Sequence, residues 1–508
     1  MIADVISGLS AAAAVGGGGS RWLRLAQREH YIAGSVTRFA VRWWRSTPPN
    51  ITIAALLVAS VGVAWAGWWE ASAAAAVLSL AGPLGLSYRG RSGKLVWTRR
   101  LRALAVAAAL LVIAAAVLGV LAGVGPGVSA TLAAGAPLVV DVALAATAPV
   151  ERRLGARFVH AAARRLADVS PRVVAITGSY GKTSTKFYTG HLLRAKYATV
   201  TSPASFNNSS GLSRAVNERL TVGTEVFVAE MGTYGPGEIR ALCDWLKPEI
   251  AVITAIGPVH LERMGSIDNI ARAKAEILER ASVGVINVDY PHLADIATGY
   301  RKQGGTLITC STSDPDADVH VTGDGTTATV SVHGQPAGTF AVPGVFIGNA
   351  ACAVGVALAV DIPVSEILAR LANLPKPEHR QTVQSTPSGI TVIDDTYNSN
   401  PDGALSAITA LASAGAGGRR VLVTPGMVEL GRDQASANET LARQAAAVAT
   451  DILVVGRTNQ RALLRGAAAG SASVTMCRDR PEAVAWVRRN LGAGDAVLYE
   501  NDLPDHYP

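Results

Sequence analysis

Two glycines followed at once by a lysine and two hydroxyl residues make a set that can hold phosphate. In this chain they lie in PRVVAITGSYGKTS, residues 171–184, as Gly178, Gly181, Lys182, Thr183 and Ser184, with Ser179 inside the turn. The glycines let the backbone curl until several N–H groups converge on one point. Lys182 supplies a point charge, and the Thr183 hydroxyl suits Mg²⁺. The chemistry is that of cradling phosphates with a bound Mg²⁺, and the plainer reading is a glycine turn with a surface lysine. Two elements must position it. The apolar run 173–176 reads as a strand entering the turn, and the residues from Lys182 onward read as a helix whose N-terminus adds positive dipole.

From about Leu166 onward, short Val/Ile-rich runs alternate with alanine-rich helical stretches, which predicts α/β layers around parallel sheets. Residues 226–230 (VFVAE), 250–255 and 283–288 are candidate buried strands. Polar groups stand at or near their ends: Glu230, then Gly257 and His260, then Asn287 and Asp289. Ligands of an open α/β sheet collect at such carboxyl ends. Glu230 can complete the shell of a Mg²⁺ shared with Thr183, or cap a helix. His260 by itself reads as structural as readily as a ligand. Lys274, on an amphipathic helix, reads as either solvated or functional. Residues 314–342 alternate Thr, Val and Ala between glycine turns, which predicts a small antiparallel insert.

The spacing TGSYGKTS is tighter than the general GxxxxGK[ST] pattern and resembles the ATP loop of the Mur ligase family. VITAIGPVHLERMGS followed by IARAKAEI resembles that family's second motif, most of all in the branch that adds D-alanyl-D-alanine. The resemblance implies that Glu230 and His260 bind magnesium and that Lys274 is carbamylated, its new carboxylate helping to hold a second ion. SFNNSSG at 205–211 is similar to the family's NN-x-x-G stretch and implies Asn207 and Asn208 near the phosphoryl or acceptor side. PGVFIGNAACAVGVALAVDIP is similar to the GxHNxxN helix, with Asn349 standing for an adenine contact. No His-Asn pair is present there, because Gly348 precedes Asn349 and Cys352 occupies the next turn.

The helical pattern breaks at LPKPEHR, which places a domain boundary near 375–377. Arg380 and IDDTYNSNP resemble the family's third domain, implying that Arg380 reaches the γ-phosphate and Asp395 the nucleotide across a cleft. Tyr397, Asn398, Asn400 and Pro401 continue the likeness. By itself DDTYNSNP also reads as an Asx-rich turn capping the next helix. The chain then departs from the family pattern. Pro425 and Gly426 replace a Gly-Asp pair in VLVTPGMVELG, and VLYENDLPDHYP lacks the KGS ending. Those positions help choose the incoming amine, so a D-alanyl-D-alanine specificity does not carry over.

The first 165 residues are of another kind. Residues 1–20 are small and apolar, end in GGGGS and lack the basic opening of a signal peptide, which leaves them as a flexible or loosely membrane-associated leader. Apolar blocks follow at 51–69, 71–87, 103–124 and 128–150, each approaching the ~20 residues that cross a bilayer. Asp141 inside the last block reads as an acid at a bend, paired within the bundle, or functional. Basic clusters flank the blocks: Arg38, Arg42 and Arg45 before the first; Arg89, Arg91, Lys94 and Arg99 between the second and third; Arg152, Arg153 and Arg157 after the last. The positive-inside rule puts all three on the cytoplasmic side, where ATP is available.

The formal charge is +8, but aromatic residues make up only 5% and no basic run is interleaved with stacking rings, which speaks against nucleic acid as a partner. The 4 cysteines are widely separated with no CxxC pair, a pattern that argues against a disulfide framework or a zinc ribbon.

The fold class expected is α/β: a membrane helical region over 1–165, a P-loop central domain over 166–375 and a Rossmann-like C-terminal domain over 376–508. The resemblance implies an ATP-dependent carbon-nitrogen ligase that activates a carboxylate as an acyl phosphate and joins it to an amine or amino acid, with ATP and Mg²⁺. It is expected at the bacterial cytoplasmic membrane, multi-pass, with its catalytic domains in the cytoplasm. The ATP loop begins soon after the last apolar block, leaving no room there for a globular UDP-sugar domain. A membrane-attached, lipid-linked envelope precursor is therefore the expected acceptor. A polyglutamate-type peptide-extending ligase and a nucleotide-binding scaffold are the alternatives. Nothing in the sequence sets an oligomeric state.

Overall fold

The computed structural model describes residues 16, 18–88, 95–203, 206–259, 261–324, 326–342, 345–375, 381–397, 399–414, 417–503 and 507. His260, Arg380 and Asn398, together with the basic residues Arg89, Arg91 and Lys94 and positions 376 and 377 of the boundary, lie outside them. The chain divides into two compact units, Met1–Leu154 with Leu503–Pro508, and Gly155–Asp502.

The first unit is helical. Among the described residues two helices are long and apolar enough to cross a membrane, Pro48–Trp65 and Arg99–Leu121. The second apolar block forms only the 13-residue helix Trp69–Ala81. At 1.5 Å per residue it spans about 20 Å, short of the ~30 Å hydrocarbon core. Gly82 and Pro83 stop it, since proline disfavours a helical residue before it and cannot donate to the ladder. The fourth block is likewise not one rod. It consists of Gly125–Ala134 and the start of Ala136–Val169, bent by 81° at Gly135. The blocks thus become two helices of crossing length, one short helix and one bent pair.

Asp141 has a specific task in this unit. Its carboxylate accepts from the backbone N–H of Gly34 (2.8 Å), Val36 (3.3 Å) and Thr37 (2.7 Å). It thereby satisfies the open donors at the start of the helix Ser35–Trp44, whose N-cap glycine has no side chain for the purpose. Buried Asn50 plays a similar role, donating to the Trp43 and Leu84 carbonyls and accepting from the Leu84 N–H. Much of the remaining surface is apolar: Leu110, Ile113 and Leu118 of Arg99–Leu121 are all exposed.

The second unit holds two sheets. The larger has nine strands in the order β2-β3-β1-β4-β5-β6-β7-β8-β9. These are β1 Arg172–Thr177, β2 Thr199–Thr201, β3 Val226–Glu230, β4 Ile250–Ile253, β5 Val283–Asn287, β6 Thr306–Ser311, β7 Val319–Gly323, β8 Thr327–Val332 and β9 Gln335–Ala341. The strands from β2 to β7 pair in parallel, and β7, β8 and β9 pair antiparallel. The antiparallel segment read from the sequence is therefore present, but as an extension of the main sheet. Alternation along β1 feeds two cores: Val174 and Ile176 meet Tyr188 and Leu192, while Val173 and Ala175 meet Leu212 and Phe227. Burial on both faces explains why β1 reads as a continuous apolar run.

The smaller sheet has six strands, β10-β11-β15-β12-β13-β14. They are β10 Thr382–Ser385, β11 Thr391–Asp395, β12 Arg420–Thr424, β13 Asp451–Val455, β14 Ser473–Cys477 and β15 Ala496–Glu500. All pair in parallel except β10 with β11. Because β15 returns between β11 and β12, the carboxyl ends of these three strands form a switch point, where such sheets bind ligands.

Candidate functional site: a phosphate turn facing a second domain

β1 ends at Thr177, and the helix Lys182–Leu193 begins five residues later. Gly178 (φ 155°) and Gly181 (φ 78°) make the turn between them. A Cβ on Gly178 would lie 2.0 Å from Thr254 Oγ1, and one on Gly181 would lie 2.1 Å from Asn349 Oδ1. Both positions therefore demand glycine for space as well as for conformation. The turn is tied to the end of β4: the Ser179 N–H donates to the Ala255 carbonyl (2.8 Å), and the Ser179 hydroxyl donates to the Gly257 carbonyl (3.1 Å). Lys182 Nζ donates to the carbonyls of Gly178 (2.8 Å) and Ser179 (3.2 Å), so its charge stays over the turn.

Glu230, the last residue of β3, comes under the start of this helix. The Thr183 hydroxyl donates to Glu230 Oε2 at 3.0 Å, and Lys186 Nζ meets the same oxygen at 2.9 Å. Burial alone raises the Glu230 carboxyl, but the Lys186 and Lys182 charges and the hydrogen bonds from Lys186 and Thr183 outweigh it and hold the group below its usual range. Lys186 was not singled out from the sequence. The available signal is its place one helical turn after Lys182, on the same face. Lys274, on the helix Ile267–Ala275, is buried, and desolvation followed by repulsion from Lys182 keeps its ammonium well below the ordinary lysine value.

A hydroxyl and a carboxylate oxygen side by side are hard donors of the kind Mg²⁺ takes. Among the described residues no group of three or more His, Cys, Asp or Glu could hold a metal ion. The pair Thr183 and Glu230 fits an ion whose other oxygens come from phosphate or water. Asn207 sits beside the turn after Glu230, its carbonyl accepting from the Gly232 N–H (2.7 Å). Asn208 instead caps the helix Ser209–Arg219 through the Gly211 N–H.

The turn opens into a cleft of ≈ 240 Å³, shared with the smaller sheet. Gly181, Ser184 and Asn349 line one side, and Asp395, Asn400 and Asp402 the other. Asn349 lies against Gly181, at the phosphate end. Cys352, one turn on, faces the core instead. Asn400 caps the helix Pro401–Ser413 through the Gly403 N–H (3.0 Å), so the Asx-turn reading of DDTYNSNP and its place at the cleft hold together. Tyr290 donates to Asp402 across the cleft (3.3 Å), and the Leu261 N–H donates to the Glu429 carbonyl (3.0 Å) while Arg263 approaches the Glu429 carboxylate (3.6 Å).

A phosphate turn after the first strand of a parallel sheet, faced by a second, largely parallel sheet across a cleft, defines a nucleotide-binding α/β protein of two lobes. Residues 176–357 match the family description "Mur ligase middle domain", and residues 379–499 match "Mur ligase, glutamate ligase domain". The UDP-N-acetylmuramoyl-tripeptide–D-alanyl-D-alanine ligase of Mycobacterium leprae is 32% identical over 380 residues, covering 68% of this chain and 73% of that protein. MurF from Acinetobacter baumannii superposes with a TM-score of 0.60 at 25% identity over 68% of this chain and 77% of its own. MurF from Thermotoga maritima, solved in complex with ADP, has the same fold with a TM-score of 0.59 at 24% identity, over 68% of this chain and 80% of its own. The chain belongs to the Mur ligase family.

Proposed function

We propose that this protein is a membrane-anchored, ATP-dependent carbon-nitrogen ligase of envelope synthesis, joining a carboxylate acceptor to an amine through an acyl phosphate. The observation that carries the reading is the grouping of Lys182, Thr183, Glu230 and buried Lys274 around one glycine turn whose Gly181 and Ser184 line a two-lobed cleft. The relatives named above act on a UDP-muramyl tripeptide and D-alanyl-D-alanine, which makes a peptidoglycan-type precursor the acceptor class.

A carboxylate is a poor electrophile, so its oxygen must first attack the γ-phosphorus of ATP. The acyl phosphate formed is displaced by the amine, giving the amide, ADP and phosphate. The protein's work is mostly charge neutralisation and exclusion of water. Lys182 and the turn's N–H groups bind phosphate oxygens, and Arg380 brings a second cation to the γ-phosphate. Asn349 and Asp395 hold the nucleotide from opposite sides of the cleft. Mg²⁺ supplies Lewis-acid screening, held by Thr183, Glu230 and His260. Burial and the Lys182 charge disfavour the Lys274 ammonium, which favours addition of CO₂ to its amine with loss of a proton, and the resulting carbamate would provide another oxygen donor.

The membrane part of the proposal rests on Pro48–Trp65 and Arg99–Leu121, whose apolar side chains point outward where water would disfavour them. Basic residues after the last apolar block, including Arg152, Arg153 and Arg157, would add about 1 kcal/mol each at an anionic surface. Tethering raises effective concentration most for an acceptor that is itself tethered, so we favour a lipid-linked precursor. The test is ADP release and product mass with purified protein in detergent. The same muramyl-peptide headgroup is offered as a soluble UDP-sugar and on a polyprenyl carrier, with a panel of amines. Equal turnover of the two acceptors sinks the lipid-linked reading. No turnover with any acceptor, alongside intact nucleotide binding, favours a scaffold, and repeated addition of one amino acid favours a polyglutamate-type ligase.

A further inference from the structure

Between the two glycines of the phosphate turn stands a side chain that the ligase reading does not use. The Tyr180 carbonyl accepts from the Thr254 hydroxyl, and the Tyr180 ring lies so close over Gly257 that a Cβ there would collide with the ring and its hydroxyl. Gly257 is itself pinned, its N–H donating to the Ser179 hydroxyl at 3.0 Å. The ring therefore cannot swing toward the end of β4. Its hydroxyl is buried and has no hydrogen-bond partner among the described residues. A buried donor without an acceptor costs free energy, so its persistence asks for a reason. Tyr180 and Asp402 line the same cleft, one from the phosphate turn and one from the second lobe. Asp402 Oδ2 accepts from the Tyr290 hydroxyl at 3.3 Å, longer than such bonds usually are, and Oδ1 accepts nothing among the described residues. An unsatisfied donor on the turn thus shares the cleft with an open acceptor on the second lobe.

We propose that Tyr180 is a positioning residue that couples the phosphate turn to closure of the second lobe: when nucleotide draws the lobes together, the Tyr180 hydroxyl donates to Asp402, which then holds both tyrosines. The Asp402 charge already acts on this phenol. Burial first, then Asp402 and Tyr290, push it above the ordinary tyrosine value, so it keeps its proton and remains a donor at neutral pH. The bond ties the backbone that cradles phosphate to the first turn of the helix Pro401–Ser413. It satisfies the lone hydroxyl only in the closed form, which favours closure once nucleotide is in place. The inference rests on the reading of this cleft as a nucleotide site.

Tyr180→Phe keeps the ring and removes only the hydroxyl. Without nucleotide, the full-length variant in detergent should melt at the wild-type temperature or above, because an unsatisfied group has been lost. A lower midpoint means that the hydroxyl already serves the nucleotide-free protein, and overturns the proposal. Affinity for a non-hydrolysable ATP analogue with Mg²⁺ should fall about tenfold in Tyr180→Phe, the worth of a hydrogen bond to a charged acceptor. In an Asp402→Ala background the same change should have no further effect. An additive loss there means that the hydroxyl meets the ligand itself, and overturns the proposal. Should Asp402→Ala not fold, infrared difference spectra decide. Adding the analogue should shift a tyrosine C–O stretching band that Tyr180→Phe lacks, and the shift should shrink in Asp402→Asn, whose neutral amide accepts more weakly; no shift, or an undiminished one, overturns the proposal. A wild type that binds no analogue refutes the nucleotide-site reading and this inference together, whereas binding that Tyr180→Phe leaves intact refutes the inference alone.

Discussion

The Thr183 hydroxyl donates to Glu230 Oε2 across 3.0 Å, joining the first turn of the helix after the phosphate loop to the end of the neighbouring strand β3. The same oxygen takes Lys186 at 2.9 Å with both side chains buried. Removing Lys186 alone leaves a buried carboxylate without its ion-pair partner. Lys186→Met should therefore destabilise by about 3–5 kcal/mol, whereas Lys186→Met with Glu230→Leu should recover much of that loss and remain inactive. Chemical denaturation of the single and double variants measures it, and a double variant no more stable than the single one contradicts the pairing.

Lys182→Ala should lower ATP-dependent turnover by about 100-fold or more, through loss of charge at the phosphates, while the N-terminal helices still insert into membranes. ADP release and membrane fractionation check the two halves. Undiminished turnover removes the phosphate assignment.

Lys274 links stability to pH in a definite direction. Its folded-state value lies well below the unfolded lysine value, so between the two the unfolded chain binds the extra proton. Stability should then rise with pH across that window, up to the ordinary lysine range. In CO₂-depleted buffer Lys274→Met should be more stable than wild type at neutral pH and show a flatter slope, yet be inactive. Partial rescue of Lys274→Ala by a short carboxylic acid would support the carbamate role, and full activity of Lys274→Ala would remove it from the site.

Asp141 caps a helix through three backbone N–H groups, and Asp141→Ala should cost about 1–2 kcal/mol. Thermal unfolding in detergent reports it. An unchanged midpoint would mean that these donors find other partners.

Nucleotide should tighten the two lobes that Tyr290 and Asp402, and Leu261 and Glu429, already bridge. Small-angle scattering of the full chain should show compaction with a non-hydrolysable ATP analogue and Mg²⁺, reduced in Arg380→Ala. Absence of compaction together with normal activity of Arg380→Ala would refute the cross-cleft role of that arginine.

The glycine turn, the strand before it and the place of Glu230 at a strand end were legible in the sequence because each depends on short-range constraints, whereas Lys274 was marked only by the family resemblance. Glycine is demanded where the chain must turn, apolar runs mark strands buried on both faces, and polar residues follow at the carboxyl ends of those strands. The fold class and the antiparallel run after Asp314 follow from the same local periodicities. Where the polar side chains meet is not a local property. Lys186 reads as one more helix lysine until β3 brings Glu230 beneath it, and Asp141 reads as an isolated acid until Gly34 and Thr37 are folded against it. Hydropathy summed along the chain could not tell that the second apolar block stops at Ala81 or that the fourth breaks at Gly135, since both depend on where a helix can continue and not on how apolar it is. Glu500 and Asp395 are far apart in sequence. Only the return of β15 between β11 and β12 sets the two acids side by side out of water.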